Sequence, residues 1–292
     1  MKFIAGCIAY NESDFIEAAV RSVEPFMDKI IIIEGCHRDY AAVSGALRSI
    51  DGTCEICKRL AGEFPDKIIY IEHNGANQQD QRNKYLEHVE PGDVVLTLDG
   101  DEAYTHRSMS RVIELYRADD ELDFVAIQLL SVLPDGISQY VHGGNIEQRY
   151  RWSAFRWRDG WKYNVGGALG NQMRLYPWAN DGAGPDVFSV PGTRRHSITP
   201  DEAYTAHYRF CKTPALLAGK DACYSLVRKI AYWAEAAVGM SKEETIEILN
   251  AKYLRDWWDG DPLTRPLGQI HPRAVAEYTN VRFKNETELF EK

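Results

Sequence analysis

The stretch Lys29-Ile30-Ile31-Ile32-Ile33-Glu34-Gly35 decides the fold class of this chain. Its consecutive isoleucines are β-branched and apolar, without the polar alternation of a strand that has one face in water. Such a run is typical of a central strand in a parallel sheet, which is buried on both faces. The sequence therefore predicts a sheet with helices packed on both sides.

The segments around this run alternate between strand and helix signals. A helix is predicted after Ser13, with apolar residues at helical spacing up to Pro25. Further strands are predicted at 3–9, 67–72, 94–98 and 124–132, and further helices at 52–63 and 79–89. This order predicts an α/β fold with an open, mostly parallel sheet flanked by helices.

The composition limits the class of protein. Of 292 residues, 34 are basic and 43 acidic, so the formal net charge is −9, and 45% are hydrophobic. These values are average for a globular protein and exclude wholesale disorder and fibrous architectures. The acidic balance argues against binding to nucleic acid or anionic membrane through the overall field. No apolar run approaches the roughly 20 residues of a membrane-spanning helix, and we expect a cytoplasmic protein.

Two carboxylates directly follow the predicted strand 94–98, in Asp99-Gly100-Asp101-Glu102. Ligands of open α/β sheets bind at the carboxyl ends of strands, and Gly100 lets both aspartates turn toward one point. Carboxylate oxygens suit Mg²⁺ or Mn²⁺, which commonly bridge carboxylates to substrate phosphates. We predict such a divalent cation as cofactor, with Asp99 and Asp101 as ligands. The alternative is an ordinary surface Asp-Gly turn.

Three segments, in order and in spacing, resemble the GT-A glycosyltransferases of the family 2-like, nucleotide-sugar type. They are Ile8-Ala9-Tyr10-Asn11-Glu12, Gln81-Arg82-Asn83 and the D-x-D-E box Asp99-Gly100-Asp101-Glu102. The resemblance covers residues 3–104, about a third of the chain. It implies a GT-A (Rossmann-like) sheet and transfer of a sugar from a nucleoside diphosphate, most commonly UDP.

The resemblance also implies which residues bind the donor. They are Ala9, Tyr10, Asn11, Glu12, Glu34, Arg82, Asp99 and Gly100. Many family members end the second strand in a pair of aspartates that contacts the nucleobase, whereas this strand ends in Glu34. Arg82 has two interpretations, a contact to the donor phosphate or a lock on the Asp99 carboxylate.

A third metal ligand is predicted at His207. The His207-Tyr208 pair followed by Lys212 resembles the late histidine that several GT-A enzymes place on the metal. Neutral imidazole is a reasonable ligand for Mn²⁺ and a poorer one for Mg²⁺. Arg209 and Lys212 are then candidates for binding the diphosphate.

The catalytic groups follow from the reaction. The cation at Asp101 would stabilise charge on the leaving diphosphate, which makes Asp101 a catalytic residue. An inverting transferase also needs a base for the acceptor hydroxyl. Asp186, in Gly184-Pro185-Asp186-Val187, is the first choice, and His196 and Glu147 compete with it.

The segment 140–178 is rich in aromatic and basic residues. It holds nine aromatic residues and six basic against two acidic side chains. Aromatic faces stack on sugars, so the acceptor site is predicted at Trp152, Trp157, Trp161 and Arg174. The acceptor can then carry phosphate, as in a glycan, a lipid-linked glycan or a nucleic acid. The alternative is that these aromatics form a second small core.

The domain organisation is predicted as a catalytic domain, 1–212, followed by a helical extension, 213–292. The catalytic domain divides into a donor half, 1–104, and an acceptor half, 105–212. Two other functions remain open. A sugar-nucleotide nucleotidyltransferase shares the fold but normally opens with a glycine-rich phosphate loop, and a non-catalytic carbohydrate-binding protein would not need a metal.

Overall fold

The computed structural model describes the chain in these ranges: 1–36, 41, 45–76, 78–132, 138–140, 150–164, 174–176, 193–198, 202–208, 264–266 and 277–278. Within them the α-helices are α1 Ile16–Val23, α2 Thr53–Glu63, α3 Gln78–Leu86 and α4 His106–Ala118. A short 3-10 turn, Glu24–Phe26, extends α1 and contains Pro25. None of the described helices is long and apolar enough to cross a membrane.

The strands are β1 Phe3–Ala9, β2 Lys29–Glu34, β3 Ile68–Glu72, β4 Val94–Asp99, β5 Glu102–Tyr104, β6 Leu122–Val132, β7 Ser138–Tyr140, β8 Tyr150–Arg156, β9 Lys162–Asn164, β10 Arg174–Tyr176, β11 Arg194–Ile198, β12 Tyr204–His207 and β13 Thr264–Pro266. The main sheet has the order β13-β7-β6-β8-β4-β1-β2-β3, with β11 and β12 also paired to β6. The predicted α/β class and its GT-A-like sheet are confirmed.

The parallel half of the sheet is β4-β1-β2-β3. Strands β1, β2 and β4 are buried on both faces because helices cover each side, whereas the edge strand β3 is only partly buried. On β2, Ile30 and Ile32 pack toward the core under α1, α2 and α4, while Ile31 and Ile33 pack toward α3. The isoleucine run therefore serves two cores at once, as its lack of polar alternation predicts.

The other half of the sheet is antiparallel at its centre, which sequence patterning alone did not predict. Strand β8 lies between β4 and β6 and is antiparallel to both. It comes from the aromatic segment 140–178, whose residue Phe155 packs into the same core as α3. This strand connects the donor half of the chain to the acceptor half through one continuous sheet.

Strand β12 brings a late part of the chain to the end of β4. It runs parallel to β6 and antiparallel to β5, with His207 opposite Glu102. Tyr208, which follows, donates its backbone N–H to the Asp101 carbonyl oxygen at 2.8 Å. The segment 204–208 is therefore fixed beside the D-x-D-E box by backbone hydrogen bonds.

Two parts of the predicted C-terminal extension contact the catalytic domain. Strand β13 pairs antiparallel with β7 at the edge of the main sheet, and Tyr278 packs against a core cluster that includes Phe15 and Tyr208. Apart from residues 264–266 and 277–278, the extension predicted as helical lies outside the described residues.

Candidate active site

The carboxyl ends of β1, β2, β3 and β4 meet at one edge of the sheet. The strand register places Ile8 opposite Asp99 and Ala9 opposite Glu34, and it places Glu34 opposite Glu72. The predicted donor-binding residues of three separate segments therefore converge. This is the edge at which open α/β sheets bind ligands.

The D-x-D turn is packed tightly against the end of β1. A Cβ atom on Gly100 would lie 2.7 Å from Glu12 Cγ, so the Glu12 side chain occupies the space that glycine leaves. Glu12 and Asp101 are both buried, whereas the Asp99 side chain is 24% exposed. Glu102 accepts the backbone N–H of Asp99 at 3.1 Å and so closes the turn.

Arg82 locks Asp99. Its side chain is fully buried, and Nη2 forms an ion pair with Asp99 Oδ1. Its guanidinium carbon also lies 5.9 Å from the centre of the Tyr163 ring. This ion pair agrees with the second interpretation of Arg82, a lock on the Asp99 carboxylate, and a contact to the donor phosphate stays a prediction.

A buried polar network supports Arg82 from the acceptor half of the chain. The Tyr163 hydroxyl accepts from the Tyr85 hydroxyl at 2.8 Å and lies 2.9 Å from Thr97 Oγ1. The Asn83 side chain binds both backbone groups of Tyr163, at 2.7 and 2.8 Å. Burial raises the pKa of Tyr85 well above its usual value, so its hydroxyl stays protonated. Tyr163 was not predicted as a site residue, although Asn83 was visible as part of Gln81-Arg82-Asn83.

Asp101 and His207 form the core of the candidate metal site. The distance from His207 Nε2 to Asp101 Oδ1 is 3.6 Å. Adjacent ligands at about 2.1 Å from one cation lie about 3 Å apart, so a small side-chain shift lets both bind it. Among the described residues, no three His, Cys, Asp or Glu side chains converge to hold a metal by themselves.

The turn after β1 is held by the segment 49–53. Three consecutive backbone N–H groups, those of Asn11, Glu12 and Ser13, donate to side-chain oxygens of Ser49, Thr53 and Asp51 at 2.9, 2.7 and 3.0 Å. We call these three oxygen-bearing residues the brace. Tyr10 adds a hydrogen bond from its hydroxyl to the Ala46 carbonyl at 3.1 Å. In a phosphate-binding turn, those N–H groups would donate to the ligand, whereas here they donate to the brace.

Glu34 lies at the end of β2 and is fully buried. Its carboxylate accepts the Ser49 N–H at 3.0 Å and pairs with Arg48 at 3.4 Å. Arg48 also pairs with Glu72 at 2.6 Å, and with Lys58 it lowers the pKa of Glu72 to about 2. Glu34 therefore binds protein groups, and its predicted contact with the nucleobase stays a prediction.

Two residues that the motifs did not indicate, His73 and Asn74, lie beside Gly35, after β3. Gly35 has a φ of 142°, and a Cβ atom there would lie 2.5 Å from the His73 carbonyl and 2.6 Å from Asn74 Oδ1. Gln81 Nε2 donates to the Gly35 carbonyl, which ties α3 to the same place. Gly35 after the isoleucine run was the available signal, because a glycine there indicates a close approach of backbone.

Two of the predicted acceptor tryptophans, Trp157 and Trp161, lie away from this edge. Trp161 is buried and stacks on Phe124 with ring centres 5.4 Å apart. Trp157 donates its indole N–H to the Trp161 carbonyl, and its backbone N–H donates to Asp93 at the amino end of β4. Both residues belong to the second core that was the alternative interpretation, so their assignment to the acceptor site is corrected.

The structure describes the remaining predicted residues only in part. Trp152 is on β8 and Arg174 is on β10, but their side chains are not among the described parts. His196 is in the middle of β11, opposite Val125, rather than at a strand end. Glu147, Asp186, Arg209 and Lys212 fall outside the described residues.

Comparison with known proteins identifies the class. The family described as "Glycosyl transferase family 2" matches residues 48–168, a range that holds Arg82, Asp99, Asp101 and Tyr163. This match, over about two fifths of the chain, confirms the predicted resemblance to the family 2-like glycosyltransferases. Among curated proteins, no match was found.

Solved structures similar to this chain have low identity. TarS 1–349 from S. aureus in complex with UDP is 13% identical at a TM-score of 0.43, over 89% of this chain and 73% of that one. Mannosyltransferase PcManGT from Pyrobaculum calidifontis, in complex with GDP-Man and Mn²⁺, is 15% identical at a TM-score of 0.44, over 90% and 76%. The glucosyl-3-phosphoglycerate synthase from Mycobacterium tuberculosis is 16% identical at a TM-score of 0.30, over 44% of each chain.

Proposed function

We propose that the protein is a metal-dependent glycosyltransferase that moves a sugar from a nucleoside diphosphate donor, preferably UDP, to an acceptor nucleophile with inversion. The observation that carries this proposal is the distance of 3.6 Å from His207 Nε2 to Asp101 Oδ1, next to Asp99, whose carboxylate is paired with Arg82. One carboxylate, one imidazole and an oriented second carboxylate suit Mn²⁺ bound together with a diphosphate.

Each residue at this edge has a role in the proposal. Asp101 and His207 hold the cation, and Asp99 presents its exposed oxygen to the cation or to the ribose. A divalent cation bound there supplies Lewis acidity for the leaving diphosphate. The Asn74 side chain lies beside Gly35, where an amide that donates and accepts hydrogen bonds suits the edge of a nucleobase.

The hydrogen bonds of the β1 turn favour a transferase over a nucleotidyltransferase. The latter would use the turn after β1 as a phosphate loop, with its backbone N–H groups directed at the ligand. Here the N–H groups of residues 11–13 donate to the brace. The diphosphate is therefore assigned to the D-x-D end of the site. The base Asp186, the acceptor and the cytoplasmic location stay predictions.

Calorimetry with UDP, with and without Mn²⁺, tests the proposal. We expect binding that requires Mn²⁺ and that weakens at least about tenfold in Asp101→Asn, since this variant loses a charged ligand while keeping its shape. Asp66→Asn is the matched control, because Asp66 is exposed in the turn before β3. The absence of UDP binding, or binding indifferent to Mn²⁺ and to Asp101→Asn, would refute the proposal. Sugar release from a panel of nucleotide sugars then distinguishes a transferase from a binding protein.

A further inference from the structure

Asn11 has a backbone conformation that most residues avoid. Its φ is +52°, and no other non-glycine among the described residues has a positive φ. Asparagine tolerates this left-handed conformation better than most residues, but it still needs support from its surroundings. That support comes from Ser49, whose hydroxyl oxygen accepts the Asn11 N–H at 2.9 Å.

The same segment fixes the orientation of the Asn11 side chain. Ile50 donates its backbone N–H to Asn11 Oδ1 at 3.0 Å. Because a backbone N–H can only donate, the atom facing Ile50 must be the amide oxygen. The amide nitrogen Nδ2 is then the group that Asn11 offers to a ligand, and it is a hydrogen-bond donor only.

Ser49 also connects this turn to β2. Its own backbone N–H donates to Glu34 Oε1 at 3.0 Å, while its hydroxyl holds Asn11. A single residue therefore bridges the ends of two neighbouring strands. Since Glu34 is fully buried and Arg48 also contacts it, its carboxylate acts on the turn through Ser49.

We propose that Ser49 is a positioning residue for the donor nucleoside: it presets Asn11 so that Nδ2 donates to an acceptor oxygen of the ribose or the base, and Glu34 acts through Ser49. This inference rests on the proposed function, because it assumes that a nucleotide binds at the sheet edge. It adds Ser49, which lies between the second and third strands and outside the sequence motifs. It also states that Asn11 donates, rather than accepts, the hydrogen bond to the nucleoside.

The first test separates the nucleoside from the diphosphate. In the presence of Mn²⁺, Ser49→Ala should weaken UDP binding about three- to tenfold, the loss expected for one hydrogen bond. Binding of inorganic pyrophosphate should not change, because the D-x-D end is intact. Ser49→Thr keeps the hydroxyl and should restore UDP binding. Equal weakening for UDP and pyrophosphate would show a general loosening of the site and overturn the inference.

Ser22→Ala is the matched control for stability. Ser22 also accepts a backbone N–H through its hydroxyl, that of Tyr104 at 3.1 Å, but away from the β1 turn. We expect Ser22→Ala and Ser49→Ala to lower the melting temperature similarly, and only Ser49→Ala to weaken UDP binding. A loss of UDP affinity in Ser22→Ala of the same size would also overturn the inference.

The second test inverts the ligand-facing group. In Asn11→Asp, one carboxylate oxygen still accepts from Ile50, while the other replaces the Nδ2 donor by an acceptor. Aspartate also tolerates the left-handed conformation, so the fold should be retained. UDP affinity should fall at least about tenfold without a change in melting temperature. If the wild type and Asn11→Asp bind UDP equally well, the inference fails and the proposed function does not. If the wild type binds no nucleoside diphosphate, the proposed function fails.

Discussion

At the scale of single residues, the site depends on the absence of a side chain at Gly100. Asp99 and Asp101 differ in exposure because the turn between them packs on Glu12. A side chain at position 100 would push Glu12 out of its buried place and move the end of β1 away from the two aspartates. Gly100 therefore sets the spacing between the end of β1 and the D-x-D turn, in addition to making the turn flexible.

Gly100→Ala tests this spacing. A Cβ atom 2.7 Å from Glu12 Cγ forces a shift of Glu12 or of the turn. We expect UDP affinity in Mn²⁺, measured by calorimetry, to fall about tenfold. Gly62→Ala is the control, since a Cβ atom there meets nothing within 4 Å, and it should stabilise α2 by about 0.5–1 kcal/mol without changing affinity. Wild-type affinity in Gly100→Ala would contradict this account.

At the scale of elements, β1 and α3 are joined by a contact that allows no extra atom. The ring of Tyr85 on α3 lies over Gly6, so that a Cβ atom on Gly6 would be 2.5 Å from it. Tyr85 also carries the hydroxyl that binds Tyr163, and α3 carries Arg82. The distance between α3 and the sheet therefore determines the position at which the Arg82 guanidinium contacts Asp99.

Gly6→Ala should destabilise the protein by about 1–3 kcal/mol through overpacking, as measured by urea denaturation. Tyr85→Leu removes the ring and is destabilising by itself, because it leaves a cavity and removes one of the two hydrogen bonds of the Tyr163 hydroxyl. The double variant Gly6→Ala/Tyr85→Leu should lose less stability than the sum of the two single variants, since the added methyl group occupies vacated space. Strict additivity would show that the two residues do not compete for the same volume.

The elements divide into those that sequence patterns predict and those that they do not. The apolar runs predicted β1, β2 and β4 nearly to the residue, because a strand buried on both faces has an unmistakable composition. Strand β8 was not placed next to β4, since its pairing depends on contacts between segments far apart in the chain. The brace was equally invisible: Ser49, Asp51 and Thr53 bind backbone groups about 40 residues away, and no local pattern records such contacts.

The candidate site shows the same division. Asp99, Asp101 and Arg82 were predicted because they occur in short motifs, whereas Tyr163 supports Arg82 from the other half of the chain. Trp157 and Trp161 were predicted at the acceptor site because a segment rich in aromatic and basic residues suits a core and a sugar site alike. Burial against Phe124 distinguishes the two for Trp161.

At the scale of the whole molecule, the C-terminal part of the chain returns to the catalytic domain. Tyr278 places its ring 4.4 Å from the Arg21 guanidinium carbon on α1, and it packs on the cluster that contains Phe15 and Tyr208. Phe15 and Tyr208 stack with ring centres 5.1 Å apart; Phe15 follows Glu12 by three residues, and Tyr208 comes directly after His207. An extension that folded independently would have no need for this contact.

Tyr278→Ala tests whether the extension and the catalytic domain unfold as one unit. Loss of the cation–π contact removes about 0.5–1 kcal/mol, and the exposed cluster loses packing in addition. For a chain of this size, each kcal/mol lowers the melting temperature by about 2–4 °C. Tyr278→Phe keeps the ring over Arg21 and should melt with the wild type. If Tyr278→Ala melts in a single transition at a lower temperature, the predicted boundary at residue 213 does not divide two independent units; an unchanged melting temperature would support a separable extension instead.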